Sequence, residues 1–484
     1  MRQLFERLHG EERITAVSST RSVIASAALM LCACTMIPRY ERPAAPVAAR
    51  FPGAAEPAGS ALLAAPDWKD FFQEPRLLRL IELALADNRD LRVAVLNVQK
   101  SRAAYRVTRS SSFPTIEANG AFTRQHVTGS AIAPGTPSSA QFTGNEWSAQ
   151  AGTSAYELDL FGRVRSLNRQ ALEQYFATAE ARHGAQISLV AEVATQYFAL
   201  RQAQEQLTLA RQTLQAVQES YHLNKVSFDA GQVGELDLRT AEGQVQTAMT
   251  NIATYERQLA QADDALVLLV GRPLPADLPA AGPFDDPHVL ADVPAGLPSD
   301  LVQRRPDILE AEHTLKAANA NIGAARAAFF PIVTLTGSIG SASTELSQLL
   351  GPGTGQWSFS PQISVPIFSG GKNVANLDVA KVSARIEVAN YEKAIQTAFR
   401  EVADALIAHS TYATQVQVES DASNTQQRRF ELATARYRQG EDSYLNVLLA
   451  QQDLYGVQQS RLQAQFNSLS SQISLYRALG GGWK

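Results

Sequence analysis

Few side chains in this sequence are placed to do chemistry. Its two cysteines, Cys32 and Cys34, lie near the N-terminus, which leaves no disulfide framework or cysteine-rich metal site in the rest of the chain. Arg13 and Arg21 precede the apolar stretch Ser22 to Leu31, and Leu31-Cys32-Ala33-Cys34 follows. A basic flank, a short apolar region and a small residue before a cysteine make an export signal over residues 1–33, leaving Cys34 to carry a covalent N-terminal lipid such as palmitate. Cys34 is preferred over Cys32 because Ala33 suits a small-residue cleavage pocket and Leu31 does not. The 7 histidines include no His-Glu-x-x-His pair, and His183, His222, His313 and His409 fall singly on helical stretches, at solvated or seam positions. Asp263-Asp264 and Asp285-Asp286 are solvated pairs without a second partner set. Gly351-Pro352-Gly353-Thr354-Gly355 has the look of a phosphate loop, but it lacks lysine and joins two strand patterns rather than leading into a helix. With no nucleophile, base and orienting group together, the sequence predicts no enzyme, no metal site and no cofactor beyond the lipid.

The elements that carry these residues say more. The chain has 484 residues, 45% hydrophobic and 19% charged, enough for several domains or a duplicated one. A net charge of −4 without a run of Lys and Arg excludes a nucleic-acid partner. The longest apolar run, Val23 to Leu31, falls well short of the ~20 residues of a membrane-spanning helix, so any crossing of a bilayer must use strands.

Internal similarity organises the chain. Asn88-Arg89-Asp90-Leu91 and Arg305-Pro306-Asp307-Ile308 open stretches that stay aligned through Phe113-Pro114 and Phe330-Pro331 to Gly120 and Gly337. At a second constant offset, Glu192-Val193-Ala194 matches Glu401-Val402-Ala403, Phe228 matches Tyr437, Gly231 matches Gly440, Leu236 matches Leu445 and Gly271 matches Gly480. The reading is a lipidated tether over 34–66, extended because of its prolines, repeat one over 67–271, a proline-rich linker over 272–300 and repeat two over 301–484. Each repeat predicts a helix, two strands, a very long helix, a turn and a returning helix. Opening helices are expected over Leu77 to Arg109 and Asp307 to Ala328. Strands are expected at about 115–125, 147–156, 332–340 and 357–366, where apolar Trp357, Phe359, Ile363 and Val365 alternate with polar Ser358, Ser360, Gln362 and Ser364. Four strands are too few to close a barrel, so closure requires several chains. The proline-free stretches Gly162 to Ala230 and Gly371 to Gln439 could each form a helix of roughly 100 Å, and Leu200, Ala203, Leu207, Ala210, Leu214, Val217 and Tyr221 give one of them a coiled-coil seam. The tip turns fall at 231–236 and 440–445.

Specific stretches also resemble a family. Leu297-Pro298-Ser299-Asp300-Leu301-Val302-Gln303-Arg304-Arg305-Pro306-Asp307-Ile308, Ala317 to Gly323, Ala325 to Pro331, Tyr156 to Arg163 and the terminal Tyr476 to Trp483 are similar to TolC-like outer membrane factors, the OprM/NodT type of efflux lipoproteins. The resemblance implies an α+β membrane protein: a homotrimer whose chains each give four strands to a twelve-stranded β-barrel in outer-membrane lipid, above a long α-helical coiled-coil barrel in the periplasm. It implies the exit duct of a tripartite, RND-type multidrug efflux pump, with a periplasmic membrane-fusion adaptor and an inner-membrane pump as partners; the alternative is the outer-membrane channel of a type I protein secretion system. By resemblance to sorted lipoproteins, the non-acidic Thr35 after the lipidated cysteine favours the outer membrane. Gly231, Val233, Gly234, Glu235, Leu236, Gly440, Glu441 and Asp442 match the tips that meet the adaptor, and Leu445, Asn446 and Leu449 match the periplasmic aperture. Many relatives carry Asp in the aperture segment, whereas Asn446 and Leu449 stand here, so an acidic constriction does not carry over. Asp229, Glu235, Asp237, Glu441 and Asp442 are expected to keep the surrounding tip acidic.

Overall fold

The computed structural model describes residues 35–48, 67–129, 137, 139–285 and 304–481. The export signal, Cys34 and parts of the tether and linker therefore lie outside the described residues. The element order is α1 (Trp68–Phe71), α2 (Pro75–Asp87), α3 (Arg89–Ser110), β1 (Glu117–Thr128), β2 (Gln141–Leu158), α4 (Arg163–Asp229), α5 (Glu235–Val270), α6 (Pro306–Ala327), β3 (Ile332–Ser343), β4 (Gly355–Ser364), α7 (Lys372–Arg438) and α8 (Tyr444–Ala478). Helices α4 and α7 have 67 residues each, and α5 and α8 have 36 and 35. None of the described helices is long and apolar enough to cross a membrane. The chain forms two compact units, one of residues 1–43, 99–177 and 312–390, the other of residues 44–98, 178–311 and 391–484.

The first unit contains the sheet, four antiparallel strands in the order β1-β2-β3-β4. Residues directly opposite in such a ladder share a face. One face gathers Phe122 opposite Trp147, Ala118 opposite Ala151, Ile339 opposite Trp357 and Val333 opposite Ile363. The other gathers Thr123 opposite Glu146, Asn119 opposite Gln150 and Ser338 opposite Ser358, whose hydroxyls lie 2.8 Å apart. An apolar face and a polar face on one sheet are what a wall between lipid and water requires. A bulge between Thr153 and Tyr156, where Ala155 takes a φ of +54°, advances β2 by one residue so that Tyr156 and Leu158 return to the apolar face opposite Leu335 and Val333. On the polar face, a Cβ on Gly152 would lie 2.3 Å from the Gly337 carbonyl oxygen and one on Gly340 would lie 2.2 Å from that of Ala149, so only glycine allows β2 and β3 this close an approach. β2 begins at Gln141, earlier than expected, because Gln-Phe-Thr-Gly-Asn-Glu extends the ladder against Thr123 to Thr128.

Residues 35–48 belong with this unit up to Pro43, and here the expectation of a tether free of packing needs correcting. The segment is extended, yet α6 holds it. The Met36 and Pro38 carbonyls accept from Arg326 and Asn319, and Ile37 lies where a side chain on Gly323 would be. Tyr40 and Arg42 both donate to Glu312, which also pairs with Lys316 at 2.9 Å. Burial pushes the Glu312 carboxyl up, but the hydrogen bonds from Arg42 and Lys316 outweigh it and hold the group below the ordinary carboxylate range. His313, expected at a solvated or seam position, is half-buried and hydrogen-bonds through Nδ1 to the buried Glu173 carboxylate at 2.6 Å, the carboxylate accepting.

The second unit has the apolar core, with Phe71, Phe72, Leu77, Leu80, Ile81, Val193, Tyr197, Leu266, Ile473 and Tyr476 buried together. Phe71 stacks on Tyr476 with ring centroids 4.8 Å apart. Of the coiled-coil seam, Leu200, Ala203, Leu207, Ala210 and Val217 are buried. The first opening helix is not continuous from Leu77 to Arg109. It breaks at Asn88, whose side chain caps α3 by accepting from the Leu91 amide at 2.8 Å and donates to the Leu269 carbonyl near the end of α5 at 2.8 Å. Its counterpart in repeat two, Arg305, donates at 2.7 Å to the Ala478 carbonyl at the end of α8. Each returning helix thus has an otherwise orphaned terminal carbonyl satisfied by the residue that opens its own repeat. Arg305 also binds Asp307 at 2.8 Å and Glu401 at 2.7 Å. Gly271 follows α5 with φ +79°, where a Cβ would lie 2.5 Å from the Asp87 carbonyl oxygen.

Candidate functional site

The expected tip and aperture residues all fall in the second unit, at the two turns between long and returning helices. Each turn is built the same way. Gly231, with φ +71°, donates its amide to the Phe228 carbonyl and Gln232 donates to that of Ser227; Gly440, with φ +75°, donates to Tyr437 and Glu441 donates to Arg436. This pair of bonds is the Schellman closure of a helix end, and the left-handed residue it needs is glycine in both copies. After the first turn Gly234 precedes α5, whose first turn carries Glu235 and Asp237 where the helix dipole favours negative charge. Val233 is half-buried; Gly234, Glu235 and Leu236 are exposed, Leu236 to 80%.

The second turn is more constrained. Asp442 accepts from the Asn446 amide at 2.5 Å and from the Ser443 backbone at 2.9 Å, and Arg436 lies 3.5 Å away. The bond from Asn446, then that from Ser443, lowers the Asp442 carboxyl below its ordinary range. Inward from the turn, Tyr444, Val447 and Leu448 pack with Ala241, Tyr221, Phe430 and Tyr437. The opposite side of the first turns of α8 therefore presents Leu445, Asn446 and Leu449, with Leu445 54% and Leu449 43% exposed. Two leucines one helical turn apart on an uncovered face are apolar surface awaiting another chain or a pore axis.

The tip carries less net negative charge than its list of acids suggests. Asp229 pairs with Lys225 at 3.5 Å, Glu235 with Arg239 at 3.3 Å and Asp442 with Arg436 at 3.5 Å. Beside this exposed face runs a groove of about 930 Å³, lined by Asn424, Arg428, Arg429, Arg436, Asp442 and Asn446 among others. Arg429 reaches Asp453 at 2.5 Å. No run of basic residues announces this cluster; Arg429, Leu432, Ala433 and Arg436 share one helix face only because they repeat at the helical period. Among the described residues, no group of three or more His, Cys, Asp and Glu side chains could hold a metal ion. Cys34, the expected lipid site, lies outside the described residues.

Comparison with known proteins gives this geometry its context. A family model described as "Outer membrane efflux protein" matches residues 80–272 and 297–481. The chain is 46% identical over 473 residues to a protein of Pseudomonas putida named probable efflux pump outer membrane protein TtgC, covering 96% of both chains. It is 47% identical over 466 residues to the solvent efflux pump outer membrane protein SrpC of Pseudomonas putida, covering 94% of this chain and 97% of that one. Among solved structures, the open state of the Neisseria gonorrhoeae MtrE outer membrane channel superposes with a TM-score of 0.84 at 40% identity, covering 93% of this chain and 99% of that one. The four-stranded sheet, the paired long helices and these matches agree, and the chain belongs to the outer membrane efflux protein family, whose members are channels of the bacterial outer membrane with a periplasmic helical extension.

Proposed function

We propose that this chain forms, as a homotrimer, the outer-membrane exit duct of an RND-type pump for organic solvents or antibiotics. The observation that carries the reading is the sheet: four strands with one apolar and one polar face, whose outer strands β1 and β4 have no partner among the described residues. In lipid an unpaired strand edge is untenable, and three chains of four strands give a closed barrel of ordinary size. The turns at Gly231 and Gly440 are the surfaces offered to a periplasmic adaptor, with Leu236 the exposed apolar anchor. Leu445, Asn446 and Leu449 line the aperture, and Cys34 carries the lipid. A duct of this kind moves its load passively, so energy and selectivity come from an inner-membrane pump. Two measurements test the proposal together. The detergent-solubilised protein should have about three times the mass of the processed chain, and it should conduct ions in planar bilayers. A stable monomer, or a trimer that does not conduct, would overturn it.

A further inference from the structure

Along its last turns α8 is enclosed on three sides. Leu469 and Ile473 share the core with Val193 and Tyr197 of α4, and Tyr476 stacks on Phe71 of α1. On the far flank Ser471 and Ala478 are buried and border Glu401, Asp404 and Ala405 of α7. The fourth side is a stripe of Gln463, Asn467, Ser470, Ser474 and Arg477, spaced by three and four residues and without an apolar member. Arg477 is exposed although Tyr476 and Ala478 beside it are buried. With Ser470 and Ser474 it lines two grooves of about 360 Å³ each, one shared with Glu192 and Thr195 of α4, the other with Glu401 and Asp404 of α7. The carboxylates differ in what they can offer. Glu401 is bound by Arg305 at 2.7 Å, and Asp404 lies 4.0 Å from Arg400. Among the described residues, Glu192 and Arg477 are held in no ion pair. The duplication gives this pair to each chain once, since Glu401 is the counterpart of Glu192 and Leu268, 78% exposed, is the counterpart of Arg477.

We infer that Arg477 and Glu192 face the water of the duct and form, over three chains, a ring of mixed sign that lets a load of either charge pass. This rests on the oligomeric duct proposed above and adds residues that set its ion selectivity away from the tip. The orientation follows by exclusion. A wall of helices side by side has two surfaces, and α1 and α2 cover the one on which Phe71, Leu77 and Ile81 meet Tyr476. Three copies of that layer inside a duct would block it, so the layer lies outside and the polar stripe of α8 faces inward. The composition agrees, because a stripe of amide, hydroxyl and guanidinium groups has no apolar area to bury and suits a wet lumen. A ring of one sign concentrates ions of the other and repels its own. Three arginines balanced by three glutamates do neither, as a passive route for varied load requires. Without Arg477, Glu192 would leave a negative ring in series with the acids of the tip.

The test uses the assembled full-length protein in planar bilayers, at about 0.1 M salt, where a charge acts over about 10 Å, and again at about 1 M, where it acts over about 3 Å. Arg477→Gln should raise the cation-to-anion permeability ratio and Glu192→Gln should lower it, both shifts fading at the higher salt, while Arg477→Lys should keep the wild-type ratio. Wild-type ratios in Arg477→Gln and Glu192→Gln at low salt would overturn the inference. The side on which Arg477 stands is read with Arg477→Cys. A positively charged methanethiosulfonate should bring its ratio back toward that of the wild type, and a negatively charged one should move it further toward cations. Reagent that attaches without moving the ratio would put the residue on the outer surface, and reagent that fails to attach would put it in the wall; either overturns the inference. Should the Arg477 variants fail to assemble, Glu192→Gln alone decides. A wild-type trimer that does not conduct would instead remove the duct reading itself.

Discussion

In the aperture proposed above, Leu449 is the residue on which its character turns. An apolar ring closes a narrow pore by packing and by excluding water, with no need of charge. Leu449→Ser is therefore expected to raise single-channel conductance in planar bilayers and to increase entry of bulky antibiotics into cells; unchanged conductance with an intact trimer would move the constriction to Leu445 or to the Val233 to Leu236 turn. Glu441→Gln with Asp442→Asn should instead shift the cation-to-anion permeability ratio, and only modestly, because Arg436 already offsets Asp442. Asn446 is held against the turn by the bond its side-chain N–H donates to Asp442. Away from the tip, Glu312 makes the docking of residues 36–42 pH-dependent. Its carboxyl is held below the ordinary value of about 4.3, so the favourable contribution is complete above that value and is lost as pH falls through the lowered one. Hydrogen exchange should find residues 36–42 protected from pH 7 down to about 4.3 and exposed only as pH falls further, through the lowered value, whereas Glu312→Gln should expose them at pH 7 already.

At the scale of elements, the helix ends carry the strongest constraints. Asn88→Ala removes both the α3 cap and the donor to the Leu269 carbonyl, and should destabilise by about 1–2 kcal/mol. Gly271→Ala demands a left-handed alanine and a displaced Asp87 carbonyl, and should cost more, ~3 kcal/mol; both are read from thermal loss of helical circular dichroism, and the reverse order would argue against the packing described around Gly271. Much of this architecture is legible in the residues. Proline-free length bounded by glycine placed α4 and α7 to within one residue at each end, and the alternation of Trp357, Phe359 and Ile363 located β4. Other features depend on contacts that sequence spacing does not encode. Asn88 has the composition of a cap, but its neighbours on both sides read as one helix. Gln141 to Glu146 lacks alternation and becomes strand only because Thr123 to Thr128 lies beside it. The prolines of residues 38–46 correctly favour an extended chain, yet nothing local shows that Glu312, far along the sequence, would capture it. The link from Asp442 to Asn446 and Arg436 exists because the Gly440 turn folds α8 back toward the end of α7.

For the whole molecule, attachment and insertion are separate matters. Labelled palmitate should enter the protein through Cys34 and be absent from Cys34→Ser; label retained in that variant would move the site to Cys32 or remove the lipid altogether. The Cys34→Ser protein should still insert, since its barrel edges close without the lipid. The paired contacts of Asn88 with Leu269 and Arg305 with Ala478 reach further back, into the history of the gene. Each repeat keeps its own device for closing its returning helix, which is what a doubled ancestral gene leaves behind when the ancestor was already a complete, self-closing unit. Once two units shared one chain they were free to diverge. One now has a neutral asparagine at this position, the other an arginine with two acidic partners. At the tips, Asp237 and Thr240 stand where the second copy has Asn446 and Leu449. In the proposed ring of three chains, doubling thus turns six equivalent places into two alternating kinds, whose side chains are free to take different tasks.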